Sequence, residues 1–545
     1  MLTISLLLAI ASFVSPVNFE ISLAGNFGEP RPNHFHGGLD IKTQHEEGKP
    51  VHAIGDGFVC KVSVSSTGYG NAIFVRHPEG YTSVYAHLQR FAPAIEAKVK
   101  QWQYAHQSWD GEIPFNATDC PVVSGQVIAL SGNTGASMGP HLHLEVHQTD
   151  SWDMYDPLEF LPAGTVKDGK APEATAIMAY PQQGEGVFCG KGGKLLLTIK
   201  DGHLPDSLTA WGKVGFAICA DDFMEGSSNH YGVRYTSLFV DGVEVFHSDV
   251  NGIPSDMNRM VNSWGDYDEF KENKRWFLKS FVEPGNLLPI LTTDVHKGMV
   301  AFDQEKTYHL KYVLTDFFGN SKTYEFHIAG KKQVIPPSEK GEGSSHELKW
   351  DEDGSVEQAG VRLTVPKGCL PDDTYLYLAV DTSHWSGKYV FAKKSTPLFH
   401  AADIALRVAR PLADSTKVFI AADGHYLGGK TDREGWVSAT TRDIGGVFSL
   451  VYDDRSPTVQ PIDKGKWAET ETIVFEVKDT LSGIERVEGF IDGQFVLFEP
   501  VPHSPKYVCR LKKTPAKKAN RQRTLTFVAW DRRQNKQQVS DQLNY

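Results

Sequence analysis

The sequence predicts a mainly β protein of several domains, the first of them a compact antiparallel β unit. Two observations carry this expectation. Short runs of alternating or continuous apolar residues sit between glycines along the whole chain, and Gly (50) and Pro (29) are plentiful, which suits strands and turns better than long helices. At 545 residues, and with roughly 100 to 200 residues per domain, three to five domains are expected, each with its own core. The formal charge of -12 supplies no basic footprint of the kind that nucleic-acid binding requires.

The chain opens with MLTISLLLAIASFVSP, an apolar run in which Ala9, Ile10 and Ala11 have the small-x-small form of a signal-peptidase site. A signal peptide over residues 1–11 and export to the periplasm or cell envelope are expected. No later run reaches the roughly 18 apolar residues of a membrane span. The six cysteines, at positions 60, 120, 189, 219, 369 and 509, include no CxxC pair, so they form neither a zinc knuckle nor a disulfide framework.

Residues 12–165 carry the strand-and-turn rhythm most clearly. VHAIGDGFVCKVSV, NAIFVRH, YTSVYAHL, GQVIALSG and HLHLEVH each alternate or run apolar between glycines. The stretch 91–120 breaks the rhythm with helix-like spacing and is read as an insertion, its Trp102 and Trp109 as packing residues. Residues 171–330 and 456–545 each open with a proline-containing dipeptide and close on a matching Asp and Asn, Asp316 with Asn320 and Asp531 with Asn535. Each is read as a β-sandwich of the immunoglobulin type. Residues 331–355 are rich in Pro, Gly, Ser and charge and read as a linker, which leaves a further β domain at 356–455. The basic run from Lys506 to Arg523 is a candidate contact for an anionic envelope polymer, against the plainer reading of a solvated hairpin loop.

The chemistry collects in the first domain. NHFHGGLD places His36 four residues before Asp40, a separation of more than about 10 Å along a straight strand and too long for one metal ion. A bend at Gly37 and Gly38 would bring the two together. His87 ends the YAHL run, and HLHLE places His141 and His143 on one face of a strand with leucines on the other. Four imidazoles and a carboxylate are thus in reach of each other, the composition of a catalytic zinc site with one position left for water. Residues 135–139 fit GxSxG around Ser137, but the strand that follows excludes the helix that such a serine elbow requires. HEEGK at 45–49 fails the HExxH pattern because Lys49 stands in the last position.

These motifs, HxxxD at 36–40, Tyr-x-His-Leu at 85–88 and Gly-Pro-His-x-His at 139–143, resemble those of the lysostaphin-type (LytM-like) zinc metallopeptidases, which cut peptide bonds in peptidoglycan. The resemblance covers about residues 20–163. It implies a small antiparallel β fold of the duplicated hybrid motif type, a Zn²⁺ ion on His36, Asp40 and His143, and two further active-site histidines, His87 and His141. One of these would take a proton from water while the other stabilises the oxyanion. Glu145, on the same strand face, is a candidate to orient a ligand imidazole, and Tyr85 is a further candidate behind the ligands. The implied substrates are the stem or bridge peptides of peptidoglycan. The competing expectation is a non-catalytic envelope-binding module that regulates other cell-wall hydrolases. His34 is read as a non-ligand.

Overall fold

The computed structural model describes residues 13–338, 346–358, 360–392, 394–516, 518 and 521–545. The expected signal peptide at 1–11 lies outside the described residues, as does part of the expected linker, 339–345. The architecture is mainly β, in four successive β regions.

The first region is built on an antiparallel sheet whose strands run, in spatial order, Leu23–Gly25, Gly38–Lys42, His141–Gln148, Tyr81–Ala86, Ala72–Arg76, Gly57–Val64 and Gly111–Pro114. One register matters most: His143 is paired with Asp40 on one side and with Ala86 on the other. Cross-strand partners project to the same face, so His141, His143, Glu145, Asp40 and Val84 share a face. Leu39, Ile41, Leu142, Leu144 and Tyr85 fill the opposite face, each 0% exposed.

Gly37 and Gly38 are needed for a different reason than the expected bend. Neither has a positive φ. A Cβ on Gly38 would overlap the Leu144 carbonyl, and one on Gly37 would strike the Glu145 carboxylate. Glycine here permits close approach to the neighbouring strand, and the convergence of His36 with Asp40 arises because His36 lies outside the strand that begins at Gly38.

Within 91–120, residues Pro93–His106 form a helix that buries Ile95 and Val99, and Gly111–Pro114 adds a strand to the sheet's edge. Trp102 and Trp109 pack against the core of the first region. The helix's outer side meets the last β region through Lys100 to Glu499 at 2.6 Å and the Tyr104 and Phe495 rings at 5.8 Å.

The second region, Glu173–Gly330, is a ten-stranded network around its own apolar core. Its segment 255–264 docks on the first region: Asn258 Oδ1 accepts from Phe35 N–H at 2.6 Å and Asn262 Oδ1 from Asn33 N–H at 3.0 Å. Met260, Val261 and Trp264 belong to the first region's core. The third region packs two five-stranded sheets face to face and the fourth packs two four-stranded sheets, each around a separate apolar cluster. Several residues of the basic run are ion-paired, Arg510 with Glu499, Lys512 with Glu471 and Arg523 with Asp492. All six cysteines are free thiols, and among the described residues no helix is long and apolar enough to cross a membrane.

Candidate active site

His36, Asp40 and His143, distant in sequence, meet at one point. His36 Nε2 lies 3.0 Å from Asp40 Oδ1 and 3.1 Å from His143 Nδ1, and His143 Nδ1 lies 2.7 Å from the same carboxylate oxygen. The three side chains offer ligand atoms within 4.8 Å of one another and are buried. Their far sides are all occupied. His36 Nδ1–H donates to the Asn26 carbonyl at 2.5 Å, His143 Nε2–H donates to Glu145 Oε1 at 2.8 Å, and Asp40 Oδ2 accepts from Arg31 Nη2 at 2.9 Å. Carbonyls and carboxylates only accept, so they fix which ring nitrogen carries hydrogen. The inward atoms are left as lone pairs crowded within about hydrogen-bond distance, an arrangement that needs a positive charge among them.

In the metal-free protein that charge is a proton. Burial opposes a charged His143, but the hydrogen bonds it donates to the Asp40 and Glu145 carboxylates outweigh it and raise the imidazole to about 9. Burial lowers His36 to about 4, so it stays neutral. Burial also raises the Asp40 carboxyl, yet the surrounding imidazoles of His36, His141 and His143 hold it well below the usual carboxylate range. The donor set of two imidazoles and a carboxylate fits a divalent metal.

Glu145 organises the layer behind His143. Its second oxygen accepts from His147 Nε2–H and from the Tyr69 hydroxyl, both at 2.6 Å. Burial raises the Glu145 carboxyl, but His143 and His147 outweigh it and keep it ionised, while burial and Glu145 keep Tyr69 a phenol. The tyrosine behind the ligands is therefore Tyr69 and not Tyr85. Tyr85 lies opposite Leu144 and faces the core, where its oxygen accepts from Ile54 N–H at 2.8 Å and the Ser83 hydroxyl at 3.0 Å.

His87 and His141 stand beside the trio, their rings 4.7 Å apart. Each holds a backbone carbonyl through Nδ1, His87 that of Thr134 and His141 that of Gly139, both at 2.8 Å. His141 Nε2 stands 3.3 Å from Asp40 Oδ1. Burial and the adjacent His143 and His141 lower His87 to about 3. His87 has φ of 60°, a left-handed conformation that costs about 1–3 kcal/mol in a non-glycine residue. Its N–H is tied to the Tyr69 carbonyl at 2.9 Å, so the strand's end is turned to present the ring. Ser137 bonds its own turn, donating to the Gly139 carbonyl at 2.9 Å. His34 is exposed, its ring against the Pro32 carbonyl.

Sequence reasoning missed Arg31 and Tyr69. Arg31 neutralises both Asp40 and Glu29, at 2.9 and 3.1 Å, and burial lifts the Glu29 carboxyl to about 7 in spite of it.

Comparison with known proteins gives two family matches. The model described as peptidase family M23 matches residues 34–108, a stretch containing His36, Asp40 and His87, and a model described as a Zu5-like domain matches residues 345–453. The first upholds the resemblance read from the motifs. A Haemophilus influenzae protein described as an uncharacterized metalloprotease is 38% identical over 120 residues, 22% of this chain and 19% of its own length. The peptidoglycan DD-endopeptidase ShyC of Vibrio cholerae is 33% identical over 138 residues, 24% of this chain and 25% of its own. The catalytic domain of lysostaphin from Staphylococcus simulans is 25% identical, with 26% of this chain and 92% of that domain covered and a TM-score of 0.20. The chain spans about a fifth of the length of the first curated relatives it matches.

Proposed function

We propose that the chain is an exported, zinc-dependent endopeptidase that hydrolyses peptide cross-links of bacterial peptidoglycan in the cell envelope. The observation that carries this reading is the convergence of His36 Nε2, Asp40 Oδ1 and His143 Nδ1 with their far sides already committed. Two nitrogens and one carboxylate oxygen suit zinc better than calcium or magnesium, and three protein ligands leave a tetrahedral position open. Ligand atoms on one tetrahedral zinc stand roughly 3.3 Å apart given bonds of about 2.0–2.1 Å, near the observed separations of 2.7 to 3.1 Å. The relative named for DD-endopeptidase activity supports the substrate class.

When bound, zinc supplies Lewis-acid polarisation and a water of lowered pKa. The chain's own residues do the rest. His141, whose Nε2 stands 3.3 Å from Asp40 Oδ1, is assigned the proton of the attacking water at Nε2, its Nδ1–H anchored on Gly139. His87, fixed by Thr134, orients the reacting group from the other side. Arg31 and Glu145 hold Asp40 and His143 in place.

The test is digestion of purified peptidoglycan with and without chelator, read by mass spectrometry of the released muropeptides. New amino termini that vanish with chelator support the reading. Unchanged muropeptides from a folded, zinc-loaded protein overturn it and leave a binding or regulatory module.

A further inference from the structure

A second cluster of titratable groups lies away from the active site, where the chain passes from the first β region to the second. Asp168 sits in the connection, Asp222 at the end of the Leu208–Asp221 strand, and Asp316 in the turn between the Thr307–Thr315 and Ser321–Gly330 strands. One oxygen of each lies within 4.8 Å of the others. Asp222 and Asp316 are 2% and 1% exposed. Among the described residues, no lysine or arginine forms an ion pair with any of the three.

Asp316 is built into its turn, accepting from Asn320 N–H at 2.8 Å and Asn320 Nδ2 at 2.7 Å. Asp222 differs. Its Oδ1 is buried and has no hydrogen-bond partner, and the same holds for Asp168 Oδ2. A buried oxygen without a donor, on a side chain that converges with two further carboxylates, is an unfavourable arrangement unless a cation or a shared proton offsets it. A cleft lined by Glu20, Lys167, Asp168, Gly169, Glu225 and Tyr231 borders the cluster at Asp168.

The arrangement recurs. Asp168 stands four residues before Pro172, Asp222 four before Gly226 and Asp316 four before Asn320, while Asp453, Asp479 and Asp531 stand at the same offsets from Pro457, Gly483 and Asn535. The second trio also converges within 4.8 Å, where the third region passes to the fourth.

The geometry points to a calcium site at Asp168, Asp222 and Asp316 that ties the connection to the second β region. All-oxygen donors without His or Cys select a hard cation. Calcium accepts six to eight oxygens in irregular geometry, so three carboxylates with carbonyls and water suffice, whereas magnesium demands a near-octahedral set. The ion joins a linker residue to two core elements and so stiffens the join between the regions.

The test uses the full chain, stripped of metals and reloaded with zinc, titrated calorimetrically with calcium chloride. Saturable calcium binding is expected, with Asp222→Asn losing one ion per chain and Asp168→Asn binding at least about tenfold more weakly at that site. Asp168 is partly exposed, so Asp168→Asn carries the test if Asp222→Asn does not fold. Wild-type protein that binds no calcium, or variants that keep its full stoichiometry, overturn the proposal. A more stable Asp222→Asn protein beside a calcium-indifferent wild type also overturns it, because the carboxyls then share protons. Zinc content and peptidase activity are not the readout, so failure here is separate from failure of the proposed function.

Discussion

Replacing Glu145 with glutamine removes the charge behind His143 while keeping the side chain's size. Glu145 accepts from His143 at 2.8 Å, from His147 at 2.6 Å and from Tyr69 at 2.6 Å. Glutamine has one acceptor oxygen, and its amide NH₂ must then face at least one of the two imidazole N–H groups. At least one charge-assisted bond is lost, about 1.5–3 kcal/mol each, in line with the roughly 10–100-fold loss of metal affinity when such a partner is removed. Zinc affinity measured by competition with a chromogenic chelator should fall by about that factor, and Glu145→Ala should fall at least as far. Thermal unfolding of the metal-free variants separates this from general destabilisation. Affinity within about twofold of wild type in a folded Glu145→Gln protein would refute the positioning role.

Four further outcomes are expected. His36→Ala and His143→Ala should lose zinc and cleavage together, whereas His141→Ala and His87→Ala should retain zinc and lose turnover, measured by metal analysis and muropeptide release; His34→Ala should do neither. His143, raised to about 9 in the metal-free protein, contributes stability that is present below its unfolded value near 6.5 and lost as pH rises through about 9. The loss, of about 3 kcal/mol, should appear in melting temperatures of the metal-free protein and not of the zinc-loaded one. Zinc uptake near neutral pH should correspondingly release about one proton, read by calorimetry in buffers of different ionisation enthalpy. Arg234, buried against Asp156 at 3.3 Å, Glu159 at 2.9 Å and Asp249 at 2.8 Å, joins the first two β regions; Arg234→Ala leaves the buried Asp156 uncompensated and should cost about 3–5 kcal/mol in chemical denaturation.

What the sequence reveals follows from what local periodicity encodes. The alternation in HLHLEVH places His143 and Glu145 on one face, and the register then sets Asp40 beside His143. Tyr85 does not stand behind the ligands, because its pairing with Leu144 turns it to the core. Tyr69 reaches Glu145 from 76 residues away, and Arg31 reaches Asp40 from a separate short strand. Neither contact has a local pattern to announce it. Gly37 and Gly38 were legible as necessary, but the requirement is room for the Leu144 carbonyl and Glu145 rather than a positive φ. The Asp316 and Asn320 pair was visible as a domain-closing motif, while its meeting with Asp168 and Asp222 depends on tertiary folding.

Zinc-dependent cleavage is tested most directly by zinc titration into metal-free protein with release of new amino termini from purified peptidoglycan as the readout. Activity should rise in proportion to added zinc, saturate at one ion per chain, and be absent at every zinc level in His143→Ala. Full cleavage without zinc, or none from a folded wild-type chain holding its zinc, would contradict this.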